Sequence, residues 1–307
     1  MIQTRHDRLQ DASTMATIGK TVRNHGRKET LIARRGQYGG SILAYATLIV
    51  IGVSSILPLL WMVSTSLKTT AALYVFPPQF IPDDPTLKNY RLFFAQDGWL
   101  YIRNSVIVSL AVTAIVVLTS AMAGYAFAKI PFTGRHALFM TMLGGLMIPF
   151  EVTLIPLFIL IVKLHLADGF LGIILPMCAS PFGIFVMRNF LVSLPNDLLD
   201  AARVDGESQF GIFWRIVMPL SKPALAALAT IIFLTSWSAF IWPLIASSSP
   251  ETRTLPVAVS MAKQLGFSAN YGMMMAAATV TFIPALAIYL AFQRYFVQGI
   301  TMSGLKG

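Results

Sequence analysis

The sequence predicts an all-α integral membrane protein, and three observations support this fold class. Apolar and aromatic residues make up 56% of the 307 residues, only 12% are charged, and the mean hydropathy is +0.69. Soluble domains contain about 25% charged residues, so this composition excludes an ordinary soluble enzyme. The apolar residues form continuous runs instead of alternating with polar ones, which predicts membrane-spanning helices rather than barrel strands. The single cysteine, Cys178, excludes a disulfide-rich secreted domain.

Six stretches between charged residues are long enough to cross a bilayer as helices. An ionised side chain at the middle of a bilayer costs at least about 2.5 kcal/mol, so spans are expected where charges are missing. About 20 helical residues cross a hydrocarbon core about 30 Å thick. One acid, Glu151, interrupts a span. The predicted spans are 36–67, 103–129, 136–163, 169–187, 223–250 and 264–293.

The Lys and Arg residues predict which side of the membrane each loop occupies. Six crossings put both termini on one side, together with the loops at about 129–136 and 188–222. That side holds 16 of the 23 Lys and Arg residues, and the other side holds 7. Because cytoplasmic loops are enriched in basic residues, both termini are predicted to be cytoplasmic.

The N-terminal arm, residues 1–40, is predicted to be a retained cytoplasmic segment. It contains eight Lys and Arg residues. It has no cleavage-site pattern, and the apolar run that follows it is too long for a signal peptide. Its charge fits orientation of the chain and attraction to anionic membrane lipid, so nucleic acid is not expected as a partner.

The sequence contains no pattern that predicts catalysis of a chemical reaction. The His, Cys and carboxylate residues lack metal-ligand spacing, and no glycine-rich phosphate loop is present. We therefore expect no catalytic residue, metal or cofactor on this chain, and the energy for uphill transport must come from elsewhere. The outer loops, at about 65–102 and 247–271, carry several prolines, which predicts extended, turn-rich connections.

The inner segment, residues 195–223, is predicted to form two short helices separated by a glycine. Pro195, soon followed by two aspartates, is a favourable helix start because negative charge then lies at the positive end of the helix dipole. Gly206 suits the end of this helix, since it takes positive φ without strain. Ser208 can cap the second helix, which Pro219 should end. The residues expected to form one apolar side of the second helix are Phe210, Phe213, Trp214 and Ile216.

The residue order of the inner segment admits two interpretations. The periodicity alone fits a helix-turn-helix on the membrane surface with Trp214 as an interfacial anchor. The order also resembles the EAA loop of ABC importer permeases, whose pattern is Glu-Ala-Ala, a glycine four positions on, and later Ile-x-x-Pro. Asp200 stands where that family usually has glutamate and keeps the charge. The matching residues are Asp200, Ala201, Ala202, Asp205, Gly206, Ile216 and Pro219.

Four further stretches resemble the permeases of maltose-type carbohydrate importers, so the resemblance covers most of the chain from about residue 40. The ending is similar to that of the smaller maltose permease subunit. That family often has Trp-Asn where this sequence has Trp237-Ser238, so a side-chain amide is missing there. The stretches are Asn104-Ser105, 147–156, 237–243 and 293–307.

The resemblance implies a type I ABC importer permease fold, with six transmembrane helices and a cytoplasmic coupling-helix (EAA) loop at about 195–223. It implies an arm at 1–40, a permease domain at 41–296 and a cytoplasmic tail at 297–307. The implied partners are a second homologous permease, two ATPase subunits that bind ATP and Mg, and an external sugar-binding protein. The implied function is import of a mono- or oligosaccharide across the cytoplasmic (inner) membrane of a prokaryote.

The resemblance also implies two contact regions for the ATPase. The seven matching residues of the EAA loop would dock into a cleft of the ATPase. The tail would reach between the ATPase subunits, although a polar ending that contains glycine by itself predicts a frayed terminus. The tail residues concerned are Gln298, Gly299, Gly304 and Lys306.

Three side chains are candidates for the transport pathway or gate: Glu151, Trp237 and Ser238. Glu151 lies about 14 residues into its span, which on a straight helix is about 21 Å and above the midplane. Because carboxylates inside a membrane are rare, Glu151 is expected to hydrogen-bond a neighbouring helix, to contact sugar or form the outer gate, or to couple an ion. Trp237 either stacks on a sugar or anchors the chain at the membrane edge.

Two other functions stay open. Glycerol-3-phosphate importers share the same pattern, but no buried Arg or Lys is expected that could receive a phosphate, which favours a neutral sugar. An ion-coupled secondary transporter would need ion ligands at mid-membrane, and Glu151 alone is thin support for it.

Overall fold

The computed structural model describes residues 44–261 and 271–304, with side chains up to residue 293. This part of the chain is helical and contains no strand. The predicted arm at 1–40 and Lys306 lie outside it. In chain order the α-helices are α1 Ala44–Ser66, α2 Lys88–Ala95, α3 Gly98–Lys129, α4 Arg135–Gly144, α5 Phe150–Lys163, α6 Phe170–Met177, α7 Pro181–Val192, α8 Asn196–Val204, α9 Gln209–Ile212, α10 Met218–Leu220, α11 Lys222–Trp237, α12 Ile241–Ala246, α13 Leu255–Ser260 and α14 Tyr271–Gly304.

Two compact units divide the chain, Met1–Trp61 and Met62–Gly307. The described part of the first unit is the exposed, apolar beginning of α1. The second unit contains α2 to α14 and all of the buried core.

Three of the described helices are long and apolar enough to cross a membrane singly: Ala44–Ser66, Gly98–Lys129 and Tyr271–Gln293. Three further pairs of helices reach that length and hydropathy only together, because each is bent at a short break. Counting each bent pair as one span gives up to six spans. The pairs are Arg135–Met147 with Phe150–Lys163 at 99°, Phe170–Met177 with Pro181–Val192 at 45°, and Gln209–Leu220 with Lys222–Trp237 at 78°.

The third predicted span is broken and is not a straight helix. Ile148 is extended, with φ −86° and ψ 114°, and Pro149 follows it with ψ 136°. A proline disfavours helical backbone in the residue before it and donates no main-chain hydrogen bond, so the helix stops here. The expected position of Glu151, counted along a straight helix, is therefore wrong. Glu151 lies in the first turn of a new helix, α5.

The fourth and fifth predicted spans are interrupted as well. Pro181 starts α7, and the Ser180 hydroxyl caps it by accepting from the Gly183 N–H at 3.1 Å. In the fifth, α11 ends at Trp237 and α12 starts at Ile241. The 16 residues of α11 extend only about 24 Å, less than the thickness of a hydrocarbon core.

The two outer loops contain helices that the proline spacing did not predict. The helix α2 buries Phe93, and α13 buries Leu255, which is fully enclosed. Pro256 lies in the first turn of α13, where a proline is tolerated because its missing N–H has no helical partner to lose. The expectation of wholly extended loops is therefore wrong for these stretches.

The helix α3 lies at the centre of the second unit, against α7, α11, α6 and α13. Small residues let α3 and α7 approach closely. A Cβ placed on Gly124 would lie 2.7 Å from Met187 Cβ, and one on Gly183 would collide with the Ser120 hydroxyl. Such close packing of small residues stabilises helix pairs in membranes, where the lipid supplies no hydrophobic driving force.

Candidate functional site

The inner segment has the two-helix structure that its sequence predicts. The first helix, α8, starts after Pro195 and ends before Gly206, whose φ is +82°. The Glu207 N–H donates to the Ala202 carbonyl at 2.9 Å, and the Gly206 N–H donates to the Arg203 carbonyl at 3.1 Å. These two bonds form a Schellman motif, which satisfies the last carbonyls of the helix.

The second helix of the inner segment begins as predicted but continues differently. The Ser208 hydroxyl accepts from the Gly211 N–H at 3.1 Å and caps α9. The chain then widens into a π-helix, Phe213–Val217, and passes through Pro219 before it stops at Ser221. Pro219 lies in the first turn of the short helix α10, a position that tolerates proline, so the helical segment continues past it to Leu220. The prediction that Pro219 ends the second helix is wrong.

The predicted apolar side of this second helix is also wrong in part. Phe210 is 63% exposed and Trp214 is 43% exposed, whereas Ile212 and Val217 are buried. A π-helix holds more residues per turn than an α-helix, so the 3.6-residue spacing used in the prediction does not hold across it. Phe213 was assigned correctly and is buried.

The two alanines of the Asp-Ala-Ala triplet face different surroundings. Ala202 is buried with Leu199 in a core cluster, and Ala201 is exposed. Asp200 forms an ion pair with Arg203 at 2.6 Å on the surface. The cluster that holds Leu199 and Ala202 contains Ala121, Tyr125, Met187, Leu191, Ile212, Phe213, Val217, Ala224 and Leu228. The inner segment is thus packed into α3, α7 and α11.

The side of α8 opposite the core is exposed and partly apolar. Val204 is 87% exposed and Leu198 is 48% exposed, and Ala201 and Asp205 are exposed beside them. We call Leu198, Ala201, Val204 and Asp205 the α8 surface. Of the residues matched to the EAA pattern, five are exposed and Ile216 is half-buried; the exposed ones are Asp200, Ala201, Asp205, Gly206 and Pro219.

Polar contacts that the sequence did not reveal hold the inner segment to the end of α3. Lys129 Nζ donates to the Leu194 carbonyl and to Asn196 Oδ1, both at 2.7 Å. The Tyr125 hydroxyl donates to Gln209 Oε1 at 3.0 Å. The partners are 65 to 84 residues apart, so no local pattern signals them.

A second bond network ties an outer loop to the other end of α3. We call residues 248–255 the outer segment. Asn104 Nδ2 donates to the carbonyls of Glu251 and Arg253 at 2.8 and 2.9 Å. The Ser105 hydroxyl accepts from the Leu255 N–H at 2.8 Å. The Asn104-Ser105 pair, noted in the sequence only for its resemblance, therefore positions this loop.

Asp168 holds the beginning of the outer segment from the α5–α6 connection. Its Oδ1 accepts from the Ser249 N–H at 3.0 Å and from the Ser248 N–H. The Asp168 N–H in turn donates to the Ala246 carbonyl at 3.1 Å. The outer segment is thus held at both ends of its main chain.

A cavity of about 440 Å³ opens beside the break between α11 and α12. Two candidates from the sequence, Trp237 and Ser238, line it. Phe240 and the helices α13 and α14 supply the rest of its wall, which combines aromatic rings with hydroxyl groups. The lining residues are Trp237, Ser238, Phe240, Pro256, Val259, Ser260, Ala278, Thr281, Phe282 and Ala285.

Trp237 is almost fully buried within the wall of this cavity. It is 2% exposed, stacks on Phe233 with ring centroids 5.8 Å apart, and donates its Nε1–H to the Thr281 carbonyl at 2.9 Å. Its neighbour in the next helix, Trp242, is equally buried and donates to the Ile173 carbonyl at 3.1 Å. Each indole N–H therefore has a protein partner.

Glu151 is exposed at the start of α5. Among the side chains of residues 44–261 and 271–293, none forms an ion pair or hydrogen bond with its carboxylate. Its neighbours Val152 and Ile155 are 67% and 73% exposed. Among the described side chains no neighbouring helix pairs with Glu151, and its three candidate roles stay predictions.

Two cations are buried in the outer loops, contrary to the expectation that none would be. Arg253 is 6% exposed and donates from Nη2 to the Ser248 carbonyl at 3.1 Å. Lys68 is 3% exposed and donates to the Gln79 carbonyl. The prediction failed because it treated every loop as exposed, whereas these loops fold back on α2 and α3.

The end of α14 differs from a frayed terminus. The helix continues to Gly304, so Gln298 and Gly299 lie within it. Across the described part of the chain, no three His, Cys, Asp or Glu side chains come together as a metal site.

Comparison with known proteins gives a family, relatives and a solved structure. Residues 115–302 match the family described as "Binding-protein-dependent transport system inner membrane component". The arabinooligosaccharide transport system permease protein AraQ of Halalkalibacterium halodurans is 37% identical over 246 residues, which cover 80% of this chain and 86% of that protein. The lactose transport system permease protein LacG of Rhizobium radiobacter is 35% identical and covers 84% of this chain and 94% of its own length.

The structural match concerns the fold. A crystal structure of a bacterial ABC transporter involved in the import of the acidic polysaccharide alginate aligns with a TM-score of 0.73 and 22% identity, covering 83% of this chain and 96% of that one. Because the family model matches more than half of the chain and the relatives align over most of their length, the chain belongs to the family of inner membrane components of binding-protein-dependent transport systems.

Proposed function

We propose that this permease translocates a mono- or oligosaccharide in an ATP-driven importer, and that its inner segment is the coupling element for the ATPase. The observation that carries the proposal is the opposite burial of the two alanines in the Asp-Ala-Ala triplet. Ala202 fastens α8 to the permease core while Ala201 stays free on the outside. The two named relatives transport arabinooligosaccharides and lactose, which supports a sugar as substrate.

The α8 surface suits a protein cleft. Small and apolar side chains, Ala201 and Val204, let a partner approach closely, and Asp205 offers a charge at the rim. A side chain as exposed as Val204 gains free energy when a partner covers it, about 25 cal/mol per Å² of apolar area. The surface belongs to a segment packed into α3, α7 and α11, so a force applied to α8 reaches three helices of the permease.

This arrangement needs no catalytic residue on the permease. Two ATPase subunits bind ATP and Mg, and their closure would pull the inner segment and shift the permease between two rigid arrangements. The second homologous permease would move against this one, and an external sugar-binding protein would deliver the sugar. The assignment to a binding-protein-dependent family favours this mechanism over an ion-coupled secondary transporter.

Contacts between loops support the proposed orientation, with both termini cytoplasmic. Loops predicted to lie outside bond to one another, as Asp168 does to Ser249 and Asn104 to Glu251. The end of α3 at Lys129, predicted to lie inside, bonds to the inner segment at Leu194. This grouping is the one that six crossings would give, and the 16 basic residues predicted on the inner side favour a cytoplasmic position for that side.

The cavity beside Ser238 and the carboxylate of Glu151 are the proposed pathway sites. The cavity has the size of a small-ligand pocket and carries the aromatic and hydroxyl groups that sugars contact. The carboxyl group of Glu151 can form hydrogen bonds with sugar hydroxyls. In the tail, Gln298, Gly299 and Gly304 continue α14 toward the proposed ATPase side, and Lys306 would follow.

A cross-linking experiment tests the coupling role. In a Cys178→Ser background, Ala201→Cys and Ala202→Cys place a thiol at adjacent positions, one exposed and one buried. The complete importer is treated with a thiol-to-amine cross-linker, and the products are identified by mass spectrometry. We expect a permease–ATPase product from Ala201→Cys and none from Ala202→Cys. An assembled complex without a product from Ala201→Cys contradicts the proposal and favours a segment lying on the membrane.

A titration tests the substrate class. The purified external binding protein is titrated calorimetrically with arabinooligosaccharides, lactose and other sugars, and with sn-glycerol-3-phosphate. Binding of a neutral sugar with competition in uptake supports the proposal. Binding of sn-glycerol-3-phosphate alone would contradict a sugar substrate and identify the phosphate compound as the substrate. The buried cations of the outer loops are compatible with that result.

A further inference from the structure

The inner ends of α4 and α7 carry positive charge that no described carboxylate neutralises. Arg188 lies one turn before the end of α7, and Arg135 is the first residue of α4. Lys129, at the end of α3, donates to two neutral groups. No Asp or Glu occurs at 98–150 or at 169–196. Within the part of the chain that the structure describes, none of these three cations forms an ion pair.

Arg188 is held in place by an aromatic ring. Its guanidinium carbon lies 4.2 Å from the centroid of the Phe139 ring. Phe139 is buried, and its ring packs 5.4 Å from that of Phe127, so the surface under the guanidinium is fixed. A ring face attracts a cation but neutralises no charge. The Arg188 side chain is half-buried, and no atom of the described residues accepts a hydrogen bond from its guanidinium. Its donors are therefore oriented and unused.

Arg135 adds a second guanidinium to this end of the helix pair. It lies on the same side of α4 as Phe139, which is four residues further on. Its side chain is exposed, and its Nη1 donates to the Ile130 carbonyl at the long distance of 3.4 Å. The first turn of α4 has no acidic residue and no side-chain cap, so the positive end of the helix dipole adds to the charge. Because α4 packs against α7, the charges of Arg135 and Arg188 lie at the inner end of one helix pair.

An exposed apolar surface continues from the two arginines toward the middle of the membrane. On α7, the exposed Phe185 lies one turn before Arg188, and on α4 the exposed Leu138 lies one turn after Arg135. Since α4 leaves the proposed cytoplasmic side and α7 returns to it, both apolar residues lie deeper than the arginines. Cations above an apolar surface match the phosphate of a lipid above its acyl chains.

We propose that the inner ends of α4 and α7 bind the headgroup of an anionic phospholipid of the cytoplasmic leaflet. Arg188 and Arg135 donate to its phosphate, and an acyl chain lies along Phe185 and Leu138. The planar guanidinium presents a fork of donors that fits phosphate oxygens. A free phosphate ion would accept from the same donors but would leave the apolar surface uncovered. The site uses the orientation proposed above and is independent of the transported substrate.

Native mass spectrometry of the complete importer tests the lipid site. The complex is stripped of lipid in detergent and titrated with phosphatidylglycerol or with phosphatidylcholine. We expect the wild type to bind phosphatidylglycerol more tightly. Arg188→Gln and Arg135→Gln should each weaken that binding about fivefold, which corresponds to about 1 kcal/mol for one basic residue at an anionic membrane surface. Binding of phosphatidylcholine should change less.

Arg91→Gln is the matched control. Arg91 is an exposed arginine of α2 in an outer loop, so its replacement removes the same charge away from the site. This variant should bind phosphatidylglycerol as the wild type does. Because Arg135 is exposed, its replacement leaves no buried gap, and Arg135→Gln keeps the test decisive if Arg188→Gln does not assemble.

Photolabelling locates the lipid and identifies the source of the phosphate. A phosphatidylglycerol with a photoreactive headgroup should label the peptides 129–144 and 181–193 of the wild-type importer, and label them less in Arg188→Gln. An excess of inorganic phosphate should not displace the lipid, since the ion has no acyl chain to cover the apolar surface.

Three results would overturn the lipid site. Equal weakening by Arg91→Gln would show only a general attraction between charges. Displacement by inorganic phosphate would assign the two arginines to the free anion. An assembled importer with neither peptide labelled would show that the second permease or water covers this face.

Discussion

Replacement of Gly206 should uncouple transport through backbone strain alone. Its φ is +82°, and a Cβ placed there would meet nothing within 4 Å. The free-energy cost of Gly206→Ala therefore comes only from holding alanine in the left-handed backbone conformation, and is about 1–2 kcal/mol. That free energy lowers the population of the capped conformation about 5- to 30-fold. Two main-chain bonds, from Gly206 and Glu207 to the end of α8, depend on this conformation.

A series of substitutions gives the order of effects. Gly206→Asn should retain more uptake than Gly206→Ala, because Asn tolerates the left-handed region better. Gly206→Pro should abolish uptake, since the ring fixes φ near −65° and removes the N–H that donates to Arg203. Uptake of labelled sugar into cells is compared with the amount of permease in the membrane.

Gly134 provides the matched control. Its φ is +78°, and a Cβ there would also meet nothing within 4 Å, but it lies between α3 and α4 outside the inner segment. Gly134→Ala should cost the same backbone energy and leave uptake per inserted permease close to that of the wild type. Equal losses at the two glycines, or normal uptake by Gly206→Pro, would refute the reasoning.

Three further predictions follow from the packing and the pathway. Gly124→Ala should lower the free energy of unfolding by about 1–3 kcal/mol, because its Cβ would lie 2.7 Å from Met187 Cβ; Gly144→Ala, with open space, should not, and thermal unfolding in detergent compares them. Trp237→Phe should cost about 1–3 kcal/mol in the same assay, because the hydrogen bond of the indole is lost and the smaller ring leaves space in a buried site; an unchanged midpoint would contradict this. Glu151→Gln should weaken sugar uptake if the carboxyl group bonds to sugar hydroxyls, and unaltered affinity and rate would favour the structural role.

Local signals predicted local structure well in the inner segment. Pro195, Gly206 and Ser208 start, end and cap the helices as expected, because capping depends on a few neighbouring residues. The π-helix could not be predicted, since it arises where Ile212, Phe213 and the residues after them pack into α3 and α7.

Charge spacing located the apolar stretches but not their breaks. Pro149 lies inside a predicted span, and its effect on Ile148 is a sequence signal that charge spacing does not contain. Contacts such as Lys129 with Leu194 and the burial of Arg253 depend on how distant loops fold back on α3. These features need tertiary structure, and sequence spacing carries no information on them.

The two buried tryptophans each form a hydrogen bond with a neighbouring helix just before a proline. Trp237 donates to the carbonyl of Thr281, three residues before Pro284, and Trp242 donates to that of Ile173, three residues before Pro176. Prolines weaken the hydrogen-bond ladder of a helix just before them, and lipid cannot supply the missing donors. The carbonyls that lose their main-chain donor belong to Val280 and Gly172, and each indole N–H bonds to the carbonyl of the next residue. The residues that most resemble membrane anchors in the sequence thus supply hydrogen-bond donors inside the bundle, beside the prolines of bent or bendable helices.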